Sequence, residues 1–188
     1  MKKIAIFASG SGSNAENIVR HFEMNENLNI ECIYSNSKDA YVLERAKKFN
    51  IPTMVFSRED FYQSDKVLKS LKSYGVDLVV LAGFLWLIPQ EMINQFTIVN
   101  IHPALLPAYG GKGMYGNKVH EAVVANREKE SGITIHYVNE KYDEGQIIFQ
   151  AKCEVLATDG PDDVAAKVHQ LEYEHFPKVI EQLKFGKK

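Results

Sequence analysis

The sequence predicts an α/β protein: an open, mostly parallel, twisted sheet with helices on both faces and an antiparallel strand near its C-terminal part. Three observations lead there. Strand-length apolar runs alternate with helix-length segments along the chain, as in successive βαβ units. The run Asp77–Ala82 is apolar from Leu78 onward and without alternation, the pattern of a parallel strand covered on both faces. A glycine-rich turn, Ser9-Gly10-Ser11-Gly12-Ser13-Asn14, joins the first strand directly to the first helix.

Taken in order, Lys3–Ala8 reads as a buried strand and Asn14–Phe22 as a helix carrying Ile18, Val19 and Phe22 on one face. Ile30–Ser35 is the second strand, Ala40–Phe49 the second helix and Thr53–Phe56 a short strand. Phe61–Tyr74 reads as one helix, and Pro89–Gln95 as a helix that starts at its proline. Thr97–His102 is a strand stopped by Pro103, which has no N–H for the ladder. The Pro/Gly/Tyr-rich stretch Ala104–Gly116 is either a site loop or a disordered connector, and Tyr109 and Tyr115 favour an ordered loop. Lys118–Ala125 is a helix; Gly132–Val138 and Gln146–Val155 are strands whose short connection, Asn139–Gly145, makes them an antiparallel pair. Pro161 opens a long helix expected to bend or break near Pro177.

At 188 residues with 45% hydrophobic content, the chain suits one domain, residues 1–188. Its 22 basic and 24 acidic residues form no basic block, so no nucleic-acid partner is expected. The longest apolar stretch, Leu78–Ile88, is shorter than the ~18 residues a membrane span needs, and no membrane partner or targeting segment is expected. Cys32 and Cys153 read as buried free thiols in a reducing cytoplasm. No histidine spacing suggests a metal set; His21 and His175 read as exposed helix residues, His120 is ambiguous, and His136 is a core-edge or supporting group. Lys187-Lys188 reads as a solvated tail.

Period-two alternation puts Asn100 and His102 on the same side of their strand, at the carboxyl end where α/β folds bind ligands. An amide beside an imidazole can hold an oxygen that gains negative charge; the alternative is a strand-end turn with a core histidine. The best acid to join them is Asp143, unless it is a solvated turn residue. Gly12, Ser13 and Asn14 at a helix start favour an anion, against the plainer reading of Ser13 or Asn14 as a cap. The turn loosely fits a dinucleotide fingerprint, but strand two ends Tyr34-Ser35-Asn36-Ser37 without the required acid, which favours a single phosphate over NAD. His169 and Glu172, three apart on the last helix, share a face and either reach ligand hydroxyls or line a helix edge.

Together, Gly10–Asn14, Leu81-Ala82-Gly83-Phe84, Asn100-Ile101-His102-Pro103-Ala104-Leu105-Leu106-Pro107, Gly132–His136, Tyr142–Gly145 and His169-Gln170-Leu171-Glu172 resemble the phosphoribosylglycinamide formyltransferase family over nearly the whole chain. The resemblance implies a Rossmann-like formyltransferase fold. It also implies transfer of a formyl group from 10-formyltetrahydrofolate, as co-substrate and without a metal, to the amine of 5-phosphoribosylglycinamide in de novo purine (IMP) synthesis. By it, Asn100, His102 and Asp143 are catalytic; Gly12, Ser13 and Asn14 hold the phosphate; and Glu172 and His169 meet the ribose. The folate lies against Leu85, Trp86, Leu87 and Ile88 and under the loop of Asn139, Glu140, Lys141 and Tyr142. Residues 1–100 form the nucleotide-phosphate half, and 101–188 the catalytic and folate half. A cytoplasmic monomer or weak homodimer acting on small molecules is implied. The chain departs from relatives in carrying Trp86 where some have arginine, Glu144 where glycine is common, and no secure arginine within Phe61–Lys66.

Overall fold

A computed structural model describes residues 1–185; the Lys187-Lys188 tail lies outside the described residues. Strands β1 (Lys2–Phe7), β2 (Leu28–Ser35), β3 (Thr53–Val55), β4 (Leu78–Leu81), β5 (Thr97–His102), β6 (Glu130–Tyr137) and β7 (Ile147–Glu154) form a seven-stranded sheet of order β3-β2-β1-β4-β5-β6-β7. The helices are α1 (Ser13–Phe22), α2 (Val42–Lys48), α3 (Arg58–Tyr62), α4 (Lys66–Tyr74), α5 (Gln90–Gln95), α6 (Asn117–Ala125) and α7 (Pro161–Gln182). The described residues divide into two compact units, one of residues 1–99 with 183–185 and one of Asn100–Gln182.

In the first unit β1 pairs in parallel with both β2 and β4, and β2 in parallel with β3. The strand order therefore reverses at β1, and the loops after β1 and β4 leave this switch point, the place where such sheets bind ligands. Ile4, Ala5, Ile6 and Phe7 are wholly buried, and Phe7 stacks on Tyr34 with ring centroids 4.7 Å apart. Helix α1 begins at Gly12, whose φ of 71° is left-handed. A Cβ there would lie 2.3 Å from Val42 Cγ2, so glycine is required twice over. Neither Ser13 nor Asn14 caps this helix, because Gly12 occupies the cap position and no side chain bonds there.

The single helix expected over Phe61–Tyr74 is instead two. Ser57 and Asp60 form a capping box that starts α3 at Arg58, earlier than apolar spacing suggested. Ser64 Oγ then donates to the Asp60 carbonyl and accepts the Lys66 N–H, diverting the backbone between α3 and α4. Likewise α5 starts at Gln90, with Pro89 extended at the cap position (ψ 143°) rather than in the first turn.

In the second unit β6 and β7 run antiparallel, with Thr134 opposite Gln150 and a register irregularity between Ile135 and His136. Helix α7 packs on β6, β7 and α6. It is not broken at Pro177: Phe176, Pro177 and Ile180 are all buried, and that packing outweighs the lost backbone bond. Two exposure readings change here. Cys153 is only half-buried because β7 is partly open on both faces, and His175 is half-buried because its ring lies 4.9 Å from that of Phe149. Among the described residues no helix is long and apolar enough to cross a membrane.

Candidate active site

In the second unit, Asn100 and His102 project from the C-terminal half of β5, and Asp143 comes from the 138–146 connection. Asp143 takes a left-handed backbone (φ 57°), and Gly145 makes the close turn beside it: a Cβ on Gly145 would lie 1.6 Å from the Tyr137 carbonyl oxygen. The Gly111 N–H donates to Asp143 Oδ2 at 2.9 Å. The same oxygen lies 3.5 Å from His102 Nδ1, while Oδ1 lies 3.5 Å from Asn100 Nδ2. Asn100, His102 and Asp143 therefore meet. Glu144 does not disturb the turn; the left-handed residue is its neighbour, and Glu144 pairs with Lys141 at 3.1 Å.

His136 belongs to this group, which sequence reading left undecided. Its Nδ1 lies 2.8 Å from the Tyr137 carbonyl, which only accepts, so Nδ1 carries the proton. In the neutral ring Nε2 is then an acceptor, and Asn100 Nδ2 donates to it at 3.1 Å. The second Asn100 amide hydrogen faces the long 3.5 Å contact to Asp143 and is available for a shorter partner. His102 is oriented in the same way: Nε2 donates to the Tyr109 carbonyl at 2.7 Å, leaving Nδ1 toward Asp143.

Burial pushes the His102 imidazole below its ordinary pKa, with the Asp143 charge and the Tyr109 carbonyl opposing it. Burial alone would raise the Asp143 carboxyl; the contacts from His136, His102 and the Gly111 N–H outweigh it and hold the group below the usual carboxylate value. Behind them Thr134 Oγ1 donates to the Ala104 carbonyl at 2.7 Å and accepts the Leu106 N–H at 2.9 Å, tying the chain after β5 to β6. A cavity of about 520 Å³ lined by Leu106, Pro107, Gly111, Tyr142 and Asp143 opens beside the carboxylate. In the same connection Asn139 Oδ1 accepts the Lys141 N–H at 3.0 Å, a turn that shapes the segment of Asn139, Glu140, Lys141 and Tyr142.

On α7 Glu172 is buried, whereas His169 is exposed and stands edge-on to the His120 ring at 6.4 Å. His120 is buried, with its pKa pushed down to about 4 by burial and by the nearby His169 and His102. Among the described residues no group of three His, Cys, Asp or Glu is arranged to hold a metal ion.

In the first unit the Ser9–Asn14 turn is held from several sides. The Ser9 N–H donates to the Gly83 carbonyl at 3.0 Å, and Ser9 Oγ accepts the Leu85 N–H at 3.1 Å. Arg45 Nε donates to the Ser11 carbonyl at 2.8 Å while its guanidinium pairs with Glu16, so a cation that sequence reading missed stands at the turn. Ser13 and Asn14 lie in the first turn of α1, where free N–H groups favour an anion. After β4, Leu85 is exposed, Ile88 is buried, and the Leu87 carbonyl accepts from the Tyr62 hydroxyl at 2.8 Å. Trp86 joins the rings of Phe56, Phe61, Tyr62 and Phe84, and the Arg58 guanidinium sits 5.0 Å above it. That arginine lies just outside the segment searched in the sequence.

A strand-end amide and imidazole meeting a loop carboxylate can steady an oxygen that gains negative charge and move a proton beside it. The formyl transferase family matches residues 2–180, and the chain belongs to it. Its relatives include phosphoribosylglycinamide formyltransferases: that of Haemophilus influenzae is 37% identical over 194 residues, covering 100% of this chain and 89% of the relative. The chloroplastic one of Arabidopsis thaliana is 43% identical over 95% of this chain, which spans 64% of that relative's length. The crystal structure of glycinamide ribonucleotide transformylase 1 from Geobacillus kaustophilus is similar at a TM-score of 0.86 and 34% identity, covering 96% of this chain and 97% of that one.

Proposed function

We propose that this chain transfers the formyl group of 10-formyltetrahydrofolate to the amine of 5-phosphoribosylglycinamide, a step of purine synthesis. The observation that carries the reading is the convergence of Asn100, His102 and Asp143 within 3.5 Å contacts. Asn100 turns its second amide hydrogen from Asp143 to the formyl oxygen, and His102, once protonated at Nδ1 beside Asp143, supports that oxygen as negative charge develops on it. Asp143 takes the proton released by the attacking amine, directly or through a water, and passes it toward the departing folate nitrogen. Gly12, Ser13 and Asn14 hold the phosphate; His169 and Glu172 meet the ribose.

Leu85, Trp86, Leu87 and Ile88, with Asn139, Glu140, Lys141 and Tyr142, receive the folate. The residues present fit such a group: the roughly 520 Å³ cavity beside Asp143 is within the common range for small-molecule sites, and it sets Leu106, Pro107, Tyr142 and Ile147 beside the Asp143 carboxylate. The same reading takes the protein as a cytoplasmic monomer or weak homodimer, and sedimentation velocity checks the assembly state.

The test is a formyl-transfer assay with both substrates, run beside a control lacking the ribonucleotide. Formylated ribonucleotide formed well above the hydrolysis control supports the assignment; hydrolysis alone refutes it.

A further inference from the structure

Tyr109 carries more than its place in a connecting loop requires. It stands among Gly110, Gly111, Gly113 and Gly116, a stretch with little side-chain packing to fix one conformation. Its own backbone is left-handed (φ 56°), a region that a bulky residue keeps only where its surroundings hold it. Two contacts do hold it. The phenol donates to Glu128 Oε1 at 2.7 Å and accepts from Asn126 Nδ2 at 2.9 Å, both just beyond α6. The ring is half-exposed and so contributes little to the core. What the clamp delivers is the Tyr109 carbonyl, 2.7 Å from His102 Nε2.

We propose that Tyr109 is a positioning residue: its phenol, clamped by Asn126 and Glu128, sets a left-handed main chain whose carbonyl keeps a proton on His102 Nε2, reserving Nδ1 for Asp143 and the reacting group. The inference deepens the formyl-transfer reading and rests on it for its effect on rate. The hydrogen-bond logic is independent of that reading. A carbonyl oxygen has only lone pairs, so the hydrogen between it and the ring belongs to Nε2. Neutral His102 then presents Nδ1 as a bare acceptor, and it can donate there only as the cation. The groups facing His102 are the Asp143 carboxylate, the His136 ring and, from α6, the His120 ring. Asp143 and the Tyr109 carbonyl favour the cation, whereas the two histidines do not.

The test combines kinetics with histidine ¹⁵N NMR on the full chain. Tyr109→Phe and Glu128→Ala are expected to lower kcat by about three- to tenfold, the factor that one hydrogen bond's net worth corresponds to. KM for the ribonucleotide should stay put, and the His102 limb of the kcat–pH profile should move to lower pH. Glu128→Gln, which keeps an acceptor for the phenol, should recover most of the rate. In the unmodified protein near neutral pH, His102 should show a protonated Nε2 and a bare Nδ1. Wild-type kcat and an unmoved pH profile in Tyr109→Phe overturn the proposal, as does a neutral His102 protonated on Nδ1. If the unmodified protein transfers no formyl group, the functional reading fails, and the NMR result alone decides the clamp.

Discussion

Asp143→Asn keeps the shape of the side chain and removes its charge. The carboxylate now accepts from the Gly111 N–H at 2.9 Å and from Asn100 Nδ2 at 3.5 Å, and its charge faces His102 Nδ1 at 3.5 Å and His136 Nε2 at 3.6 Å. An amide in its place has one accepting oxygen, so the Gly111 contact can survive only if the NH₂ group faces Asn100 and His136. The main loss is electrostatic. Once His102 takes a proton on Nδ1 during turnover, a unit charge pair at this separation is worth about 4 kcal/mol at an effective dielectric of about 20. Both side chains are nearly buried, at 5% and 11% exposure, so solvent screening takes little of it. His102 then stays neutral, and the proton acceptor for the amine is gone as well.

The expected loss in kcat is therefore at least ~10²–10³, the range seen when one stabilising group is removed from a developing oxyanion. Ribonucleotide affinity should change little, because the residues proposed to hold the phosphate and ribose are elsewhere in the chain. Steady-state kinetics, a binding titration and a thermal melt measure these quantities together. A folded Asp143→Asn protein turning over within about threefold of the unmodified one would refute the reasoning.

Other expectations follow from the same contacts. Because the Asp143 carboxyl titrates below its ordinary value in the fold, its stabilising contribution is present above the unfolded-state pKa and lost as pH falls through the folded one. Urea melts at pH 5 and pH 3 should therefore show a smaller acid-side loss in Asp143→Asn. For buried His120, with a folded pKa of about 4 against an ordinary 6.5, stability should fall as pH drops through that window, by roughly 3 kcal/mol in full. His120→Asn should flatten that part of the curve, and an unchanged slope would remove the assignment. Gly12→Ala puts a methyl 2.3 Å from Val42 Cγ2 at a left-handed position and should cost roughly 1–3 kcal/mol, read as a lower Tm with weaker ribonucleotide binding. Asn14→Ala and Glu172→Ala should raise the ribonucleotide Kd with a smaller effect on kcat. Unchanged affinity in either would take that residue out of the binding site.

Much of this was legible along the chain. Alternation and the Pro103 stop place Asn100 and His102 together without any knowledge of the fold, because both act within one strand. Asp143 is different: its approach depends on the β6–β7 register and on an aspartate taking a left-handed backbone, neither of which a spacing encodes. His136 was one of two readings because its partner, Asn100, is 36 residues away. The split between α3 and α4 could have been seen in Ser57-x-x-Asp60, a capping signal that apolar spacing overrode. At Pro177 the helix runs on without a break, since a local rule yielded to tertiary burial. Arg58 over Trp86 is a contact between segments, visible only once the chain has folded.

The most direct measurement is a single-turnover transfer of ¹³C-labelled formyl in the unmodified protein and in Asn100→Ala. The label should appear on the ribonucleotide amine with the first, and ~10²–10³ more slowly with the second, while phosphorylated substrate still binds. Label released only as formate, or equal rates in the two proteins, would contradict the assignment.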